Sequence, residues 1–508
     1  METRDTVRMG TAQGRWVLLA TILGSGMALL DGTVVNVALR VIGADLGADL
    51  ADLQWVVNAY MLTLASLILV AGSLGDLLGR RRVFLVGVIW FAVASALCGL
   101  AQGPMLLIVA RALQGVGGAL LTPGSLAILQ SSFHRDDRAR AIGAWSGLGG
   151  VAAAIGPFLG GWLVQEASWR YVFLINVPLA AAVVAVTVRH VPESCDRTVA
   201  GRHVDTLGAV LGALGLGGVT YALIEAGGDS GVLAVVVGIA GAAAIAAFVV
   251  HQRRAPYPMV PPSLFASRIF TVSNLLTVVV YAALGAMFFF VVLNLQVTLG
   301  YTPLEAGISL FPITVFMLVF SARSGALATR IGPRLQMSAG PIVCAVGVGL
   351  LIGMDADSSY LTGVLPGVSI FAAGLTVLVA PLTATVLAAA PDRYAGVASG
   401  VSNAVARTGS LLAVAALPVA VGLSGTDYDD PAAFGAGFRH AMSVSAALLV
   451  AGGLLALVGL RRAGTELLSE SEEPAAVEPA PEEPPVFALP HCPPSSVRPS
   501  GASLLKQP

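Results

Sequence analysis

The chain has 508 residues, of which 56% are hydrophobic and 11% are charged, and its mean hydropathy is +0.84. This composition excludes a soluble globular protein and indicates a helical membrane protein. A net charge of −1 gives no reason to expect nucleic-acid binding. Lys506 is the only lysine, which excludes an ATP-binding P-loop motif.

Apolar runs long enough to cross a bilayer recur along the chain and predict about fourteen membrane-spanning helices. The first run has no small-residue cleavage site, so we interpret it as a retained helix rather than a signal peptide. The predicted spans are 16–39, 54–74, 83–101, 104–130, 140–164, 171–189, 206–226, 231–251, 269–298, 303–322, 336–354, 360–388, 396–421 and 440–460.

Arginine and acidic residues alternate between the connections. Arginines lie before the first span and after every even-numbered span, as in Arg80-Arg81-Arg82 after the second. Acidic residues predominate after the odd-numbered spans, as at Asp45 and Asp49 after the first. Because positively charged loops stay in the cytoplasm, this pattern predicts an even number of spans in the cell membrane, with both termini cytoplasmic.

Two charged residues interrupt the apolar spans in the first part of the chain. Asp31 lies in the middle of the first span and Arg111 lies in the fourth. A charge at the bilayer centre costs about 2.5–3.5 kcal/mol on insertion scales, so such residues usually face a partner or water. We interpret Asp31 as a proton-binding group, and the alternative is a carboxylate that only pairs helices. For Arg111 the alternative is a residue that only braces helices.

A loop pattern occurs twice, eight spans apart. The first copy, after the second span, comprises Gly72, Gly75, Asp76, Gly79, Arg80 and Arg81. The second copy runs from Gly325 to Arg334 after the tenth span and has Thr329 where the first has Asp76. The repeat predicts two six-helix halves with the seventh and eighth spans inserted between them.

The predicted division of the chain follows from this repeat. It comprises a cytoplasmic amino terminus (1–15), a first six-helix half (16–190), a linker with two extra spans (191–255), a second six-helix half (256–462) and a tail (463–508). The tail is acidic and proline-rich, so we expect it to be disordered and cytoplasmic.

Five patterns in the first six spans resemble signatures of one transporter family. The patterns are Gly72–Arg81, Leu107–Ala119, Gly156-Pro157-x-x-Gly160-Gly161, Leu30–Leu39 and Trp169–Pro178. The first two resemble signatures of the major facilitator superfamily, and the third resembles the fifth-helix motif of its drug/proton antiporters. The last two are similar to signatures of the fourteen-helix EmrB/QacA-type subfamily, which includes antibiotic-resistance exporters of actinomycetes.

The resemblance implies an all-α major facilitator fold and a secondary active transporter rather than an enzyme. It implies proton coupling by Asp31 and Arg111. The residues implied in conformational gating are Gly72, Gly75, Asp76, Gly79, Arg80, Arg81, Gly156, Pro157, Gly160 and Gly161. Pro157 is expected to kink the fifth helix. The chain has Arg40 where the family usually has Pro and Ala152 where it usually has Gly, and we expect these departures to alter packing rather than activity.

Polar and aromatic residues inside apolar spans are candidates for contacts with the substrate. They are Asn36, Asn58, Tyr60, Asn274, Asn294, Gln296, Phe311 and Arg407. Each is equally well explained as a contact between helices. In the second half, the spans carry one acidic residue, Glu305, at an outer helix end. We therefore predict Asp31 as the principal proton site and cations as less suitable substrates.

The predicted function is proton-coupled efflux of an amphipathic drug or antibiotic, with the proton gradient as energy source and no cofactor or metal. The prevalence of Arg over Lys and the 59 glycines suggest a GC-rich genome, as in antibiotic-producing actinomycetes, where such export would confer self-resistance. The alternative is proton-coupled export or symport of another small metabolite. We expect a monomer whose partners are its substrate, protons and the lipid bilayer.

Overall fold

The computed structural model describes residues 7–194, 205–226, 231–391 and 394–460. The predicted tail (463–508) and parts of the predicted amino terminus (1–6) and linker (195–204) lie outside these ranges. In the described ranges, fourteen helical segments are long and apolar enough to cross a membrane. The predicted all-α membrane fold and number of spans are therefore confirmed.

Sixteen helices form the fourteen spans, because the sixth and tenth spans each consist of two consecutive helices. The helices are α1 (Ala12–Leu46), α2 (Leu50–Leu78), α3 (Arg80–Gly99), α4 (Pro104–Ser132), α5 (Arg135–Glu166), α6 (Arg170–Leu174), α7 (Asn176–His190), α8 (Thr206–Glu225), α9 (Gly231–Arg254), α10 (Arg268–Val297), α11 (Pro303–Ser309), α12 (Phe311–Ile331), α13 (Pro333–Leu351), α14 (Leu365–Ala388), α15 (Ala395–Ala420) and α16 (Pro431–Gly459).

The helix ends follow capping residues more closely than the limits of the apolar runs. The last span was predicted to begin at 440, but α16 begins at Pro431. There the side chain of Asp430 accepts a hydrogen bond from the Ala432 N–H, and proline suits the first helical position. The start of the tenth span agrees with the prediction, because Thr302 and Glu305 form a capping box in front of it.

The helices pack in two groups that follow the sequence repeat. In the first half, α1–α7, α4 packs against α2 and α3, and α1 packs against α5. In the second half, α10–α16, α13 packs against α14 and α16, and α10 packs against α15 and α16. The inserted helices α8 and α9 pack on each other, and α8 also contacts α2 and α15. The inserted pair therefore lies beside the junction of the two halves.

Hydrogen bonds hold the two halves together near one end of the bundle. Because α1 and α2 are antiparallel, Asp45 and Arg80 lie at opposite ends, which we call the Asp45 side and the Arg80 side. On the Asp45 side the bonds run from Gln54 Nε2 to the Val414 carbonyl (2.7 Å), from Gln296 Nε2 to the Val37 carbonyl (3.0 Å), from Leu50 N to the Gly425 carbonyl (2.9 Å), from the Tyr428 hydroxyl to the Ala48 carbonyl (2.6 Å), and from Arg40 to the Gln296 carbonyl. The bundle is therefore closed on the Asp45 side.

Candidate functional site

The two charged residues of the early apolar spans, Asp31 in α1 and Arg111 in α4, form an ion pair. Arg111 Nη1 donates to Asp31 Oδ2 at 2.5 Å, and the Arg111 and Asp31 side chains are 1% and 0% exposed. A single charge is costly in apolar surroundings, so each of these charges depends on the other. Sequence reasoning predicted both residues as proton-coupling candidates but did not predict their contact.

Three polar side chains from α3, α4 and α7 complete the surroundings of Asp31. Its Oδ1 accepts hydrogen bonds from Gln114 Nε2 at 2.7 Å and from Asn176 Nδ2 at 3.3 Å. The same two amides donate to Ser95 Oγ at 2.7 Å and 3.3 Å. All three side chains are fully buried. One carboxylate therefore connects four helices of the first half.

Arg111 has further partners besides the carboxylate. Its Nε donates to the Val56 carbonyl at 3.0 Å, and its Nη1 donates to Gln114 Oε1 at 2.6 Å. Its guanidinium lies over the rings of Tyr60 and Phe173, 4.4 Å and 5.6 Å from their centroids. Such cation–π contacts stabilise a desolvated cation. The guanidinium would therefore keep several contacts if the carboxylate became neutral.

The arrangement links the protonation of one carboxyl group to the packing of several helices. As a carboxylate, Asp31 is attracted to Arg111, and as a neutral acid it loses that attraction. Protonation would therefore weaken the ion pair and rearrange the hydrogen bonds among α1, α3, α4 and α7. Asp31 is fully buried in this conformation.

Sequence reasoning missed Ser95, Gln114 and Asn176 as site residues. Gln114 and Asn176 lie within two of the patterns that carry the family resemblance, and as amides in apolar spans they gave a usable signal. Ser95 gave none, because small hydroxyl residues are common at contacts between membrane helices. Its role becomes visible only when α3 and α7 are placed beside α1.

The loop motif between α2 and α3 connects parts of the first half. Arg80 Nη2 pairs with Asp76 Oδ1 at 2.8 Å, across Gly79, whose φ of +106° favours glycine. The backbone N–H of Arg81 donates to Glu193 Oε1 at 3.1 Å, and sequence reasoning did not identify Glu193. These contacts lie within the first half and the start of the linker that follows it, so in this conformation they do not join the two halves. The gating role of the motif stays a prediction.

The first two glycines of the loop motif are less constrained. A methyl group on Gly72 would lie 3.8 Å from Pro123 Cβ of α4, which is an ordinary contact distance. A methyl group on Gly75 would meet nothing within 4 Å. Close packing in this conformation therefore does not explain these two glycines.

The glycines beside Pro157 let α5 approach two other helices closely. A methyl group on Gly156 or Gly160 would overlap α1 at Thr33 or Val34. A methyl group on Gly161 would overlap the second half, because the Pro303 carbonyl lies in its place. α5 therefore packs tightly against both halves at once, and it continues through Pro157. This placement fits a gating role, which stays a prediction together with the kink.

The tentative substrate-contact residues do not form one cavity in this structure. Asn294 and Gln296 lie at the end of α10 on the Asp45 side, where Gln296 bonds to the first half. Tyr60 packs against Arg111 and donates to the Ala28 carbonyl at 3.0 Å. In this conformation Gln296 and Tyr60 join helices, which is the alternative that the sequence left open. Asn294 is buried and accepts a hydrogen bond from the Thr298 hydroxyl at 2.8 Å, and its Nδ2 has no partner among the described residues.

The other candidates have more varied surroundings. Asn274 is buried and bonds to a carbonyl of its own helix at 2.9 Å, whereas Asn36 and Arg407 are half-buried. Phe311, at the start of α12, is 50% exposed. Asn58 is fully buried, and neither polar atom of its side chain has a hydrogen-bond partner in the described part of the chain. Asn274 Oδ1 and Asn294 Nδ2 also lack a partner in the described part of the chain. Asn58 is therefore the candidate amide with neither polar atom bonded, and Arg407 is the candidate cation without an ion pair in the described residues.

A cleft between α10, α14 and α15 lies beside Arg407. We call it the α15 cleft, and its polar lining consists of Thr277, Tyr281, Thr383, Ser399, Ser402 and Asn403. Thr383 and Asn403 are exposed, in the part of the cleft nearer the Arg80 side. Arg407 follows Asn403 by one helical turn. Arg407 itself does not line the cleft, but it directly follows Ala406, which does.

Known proteins with similar sequences are named as exporters or resistance proteins. The "Probable actinorhodin transporter" of Streptomyces coelicolor is 35% identical over 429 residues, 80% of this chain and 74% of that protein. The "Tetracenomycin C resistance and export protein" of Streptomyces glaucescens is 36% identical over 411 residues, 79% of this chain and 75% of that protein. The "Multidrug resistance protein Stp" of Mycobacterium tuberculosis is 35% identical over 403 residues, 79% of this chain and 74% of that protein.

Solved structures support the fold. The peptide transporter POT in complex with sulfate aligns with a TM-score of 0.63 at 16% identity, over 89% of this chain and 98% of that chain. An inward-facing bacterial homologue of the lysosomal transporter Spinster aligns with a TM-score of 0.61 at 16% identity, over 92% of this chain and 100% of that chain. The family model of the Major Facilitator Superfamily matches residues 21–414. This chain therefore belongs to the Major Facilitator Superfamily and is a multi-pass membrane transporter rather than an enzyme.

Proposed function

We propose that this chain exports an amphipathic drug or antibiotic in exchange for protons and thereby confers resistance. The names of its relatives support drug export, because an antibiotic transporter, an antibiotic resistance and export protein and a multidrug resistance protein are each about 35% identical to it over most of its length. In an antibiotic producer, the same activity would protect the host from its own product.

The observation that carries proton coupling is the enclosed Asp31–Arg111 pair. A carboxylate that only braced two helices would need one partner, yet Asp31 accepts hydrogen bonds from three side chains of two other helices. Its protonation would change all of these contacts together. Intramembrane ionisable groups with such partners are typical of proton relays in transporters.

The proposed orientation follows from the arginine-rich loops. The Arg80 side faces the cytoplasm, with both termini, and the Asp45 side faces outward. The protein acts as a monomer in the cell membrane, without a cofactor, and the proton gradient drives transport. One proton crossing 100 mV releases about 2.3 kcal/mol, enough for roughly a fiftyfold substrate gradient.

The closed Asp45 side supports this orientation as a step of the export cycle. With the outer side closed by hydrogen bonds between the halves, the exposed part of the α15 cleft lies toward the cytoplasm. A substrate would therefore enter from the side on which an exporter must load. Release outside would require the bonds at Gln54, Gln296 and Tyr428 to break.

A growth-inhibition panel in an efflux-deficient host tests the proposal. Cells that carry the wild-type protein should survive higher concentrations of at least one amphipathic antibiotic than cells with an empty vector. Asp31→Asn should remove most of this protection, because the amide cannot take up or release the proton. Asp355→Asn is the matched control, since Asp355 is an exposed loop carboxylate.

The variants separate two ways in which the proposal can be wrong. Equal protection by Asp31→Asn and wild type, at equal membrane abundance, would exclude Asp31 from proton coupling. Protection against no compound would exclude antibiotic export and leave transport of another small metabolite. Immunoblots of the membrane fraction show whether each variant is inserted, and Asp31→Glu retains an ionisable group as a second control.

A further inference from the structure

Arg407 is an intramembrane cation without a counterion among the described residues. It lies midway along α15, is half-buried, and forms no ion pair with any carboxylate of the described residues. Its Nη1 approaches Met61 Sδ of α2 at 3.9 Å, and a thioether is only a weak acceptor. Charged residues inside membrane spans are costly and usually mark a functional site. Helix packing does not explain this one.

The sequence offers no acid that could neutralise Arg407 from its own half. The acidic residues between 268 and 460 are Glu305, Asp355, Asp357, Asp392, Asp427, Asp429 and Asp430. Asp392 lies outside the described residues, and the others lie in connections between helices or at a helix start, where Glu305 is engaged in the capping box of α11. In the first half, Asp31 already pairs with Arg111. The centre of the bundle therefore carries an excess positive charge when Asp31 is ionised.

A second polar group with unused bonding capacity lies near Arg407. Gln54, Asn58 and Met61 share one face of α2, because residues three and four apart on a helix are neighbours. Gln54 bonds to Val414 of α15 and Met61 contacts Arg407. Asn58 therefore lies between these two contacts, on the face turned toward α15. Its buried amide without a partner is the kind of group that a ligand would satisfy.

The α15 cleft supplies hydroxyl and amide groups and no carboxylate among its lining residues. Thr277 and Thr383 donate to carbonyls of their own helices. The hydroxyls of Tyr281, Ser399 and Ser402 and one N–H of Asn403 are the lining donors that could serve a negatively charged group. A cationic compound would meet Arg407 without any acid to offset the repulsion. A positive charge between neutral donors therefore favours anions over cations in the same space.

Resting on the proposed export function, we propose that Arg407, with Asn58 and the α15 cleft, binds the ionised acid group of the exported compound. The substrates are then amphipathic organic acids, with a carboxylate or phenolate at Arg407 and an apolar body along α10 and α14. The proton site and the substrate site use different charges, Asp31 in the first half and Arg407 in the second.

The substrate class has an electrical consequence. Exchange of one exported monoanion for one imported proton moves two elementary charges in the same sense across the membrane. Exchange of a monocation for a proton moves no net charge. Export of an organic acid should therefore accelerate with a cytoplasm-negative potential and produce a current in proteoliposomes on a solid-supported membrane.

Efflux of three dyes from efflux-deficient cells tests the proposal. The probes are fluorescein (anionic), N-phenyl-1-naphthylamine (neutral) and ethidium (cationic). Wild type should export fluorescein in preference to ethidium. Arg407→Gln should slow fluorescein export by about tenfold to a hundredfold, because a charge-assisted hydrogen bond is lost. Export of N-phenyl-1-naphthylamine should stay within about twofold. Arg407→Lys should restore part of the fluorescein export.

The matched control is Arg268→Gln, which removes an exposed arginine at the start of α10 and should leave all three rates unchanged. Equal losses for fluorescein and N-phenyl-1-naphthylamine in Arg407→Gln would overturn the proposal, as would preferential export of ethidium by wild type. Failure of the proposed function itself looks different, because the wild-type chain then protects against no antibiotic and exports none of the dyes.

Discussion

The centres of the two halves treat charge in opposite ways. In the first half, Asp31 and Arg111 neutralise each other at 2.5 Å and are almost completely shielded from solvent. In the second half, Arg407 is partly exposed, and its Nη1 lies 3.9 Å from the Met61 sulfur. The sequence repeat relates the two halves, yet one encloses a satisfied pair and the other holds a cation that has no ion pair among the described residues and lies next to a cleft.

This difference indicates that the two halves have different roles in transport. An enclosed pair suits a proton, which is small and can reach a buried carboxylate when helices shift slightly. A cation beside a cleft suits a larger partner that enters from one side. α5 packs against α1 at Gly156 and against α11 of the second half at Gly161, so it connects the half that holds the ion pair to the half that holds Arg407.

The largest expected effect comes from breaking the enclosed pair. Arg111→Leu would leave the Asp31 carboxylate buried without its counterion, so we expect the free energy of unfolding in detergent to fall by about 3–5 kcal/mol. Transport should be lost as well. Thermal or denaturant unfolding of the purified protein measures the first effect, and the resistance assay measures the second.

A double variant provides the control for this experiment. Asp31→Asn combined with Arg111→Leu removes both charges, so the loss of stability should be smaller than in Arg111→Leu alone. If the single variant unfolded as easily as wild type, the pair would contribute nothing to stability. The Asp31–Arg111 pair and Arg407 would then differ in their geometry but not in their contribution to the free energy of unfolding.

A smaller effect should follow from filling the contact between α5 and the second half. In Gly161→Ala, the added methyl group would lie 2.5 Å from the Pro303 carbonyl oxygen and 2.7 Å from Leu304 Cα. Overpacking of this kind costs about 1–3 kcal/mol, and we expect the closed Asp45 side to be destabilised. Substrate transport in vesicles should fall about tenfold, since the conformation that is closed on the Asp45 side becomes less stable and the transport cycle passes through it.

Gly143→Ala is the matched control, because a methyl group at this position of α5 meets nothing within 4 Å. It should preserve transport and raise stability slightly, since alanine favours a helix more than glycine does, by about 1 kcal/mol. Equal transport by Gly161→Ala and Gly143→Ala would show that the close approach of α5 to α11 has no role in the cycle.

The fold could be predicted from sequence because the membrane imposes strong constraints. Length and hydropathy were sufficient to find every span, and the arginine pattern fixed their parity. The errors lie at polar helix ends, as at Pro431, where a capping aspartate starts α16 before the apolar run begins. Hydropathy does not register such caps, since they depend on one side chain and one backbone N–H.

The site was only partly predictable. A lone carboxylate or arginine in an apolar span is rare enough to identify Asp31, Arg111 and Arg407 individually. Which charges pair is a matter of helix arrangement, so the sequence could not show that Arg111 has an ion-pair partner and that Arg407 has none in the part of the chain that the structure describes. Amides such as Gln296 and Asn58 are equally polar, yet one bonds across the halves and the other has no partner in the described residues.

The inserted helices α8 and α9 place a third charged group, Asp205, at the start of α8. Asp205, in front of α8, accepts hydrogen bonds from Gln252 and His251 of α9 at 2.6 Å and 2.8 Å and caps α8 through the Gly208 N–H. Asp205→Ala should therefore lower the free energy of unfolding by about 0.5–2 kcal/mol at neutral pH, the range for a lost helix cap. Asp357→Ala, at an exposed loop carboxylate, should have no effect.

The effect of Asp205 should depend on pH with a definite sign. Burial raises the pKa of Asp205, but hydrogen bonds from Gln252, Gly208 and His251 outweigh it, so the pKa lies below the ordinary value. The carboxylate therefore stabilises the folded state above the ordinary pKa of aspartate, and this contribution is lost as the pH falls through the lower folded-state pKa. Unfolding curves of wild type and Asp205→Ala should converge below about pH 4. A constant difference down to pH 3 would contradict the assignment.

The smallest expected effect tests the second half of the comparison directly. Arg407→Leu removes a half-buried charge that has no counterion among the described residues, so nothing is left unpaired behind it. We expect the free energy of unfolding to change by no more than about 0.5 kcal/mol or to rise, although export of organic acids is lost. The same arginine-to-leucine change thus destabilises the protein at Arg111 and not at Arg407. If Arg407→Leu lowered the free energy of unfolding by several kcal/mol, Arg407 would have a stabilising partner in the fold. The two halves would then not differ in the way proposed, with a structural ion pair in one and a substrate-binding charge in the other.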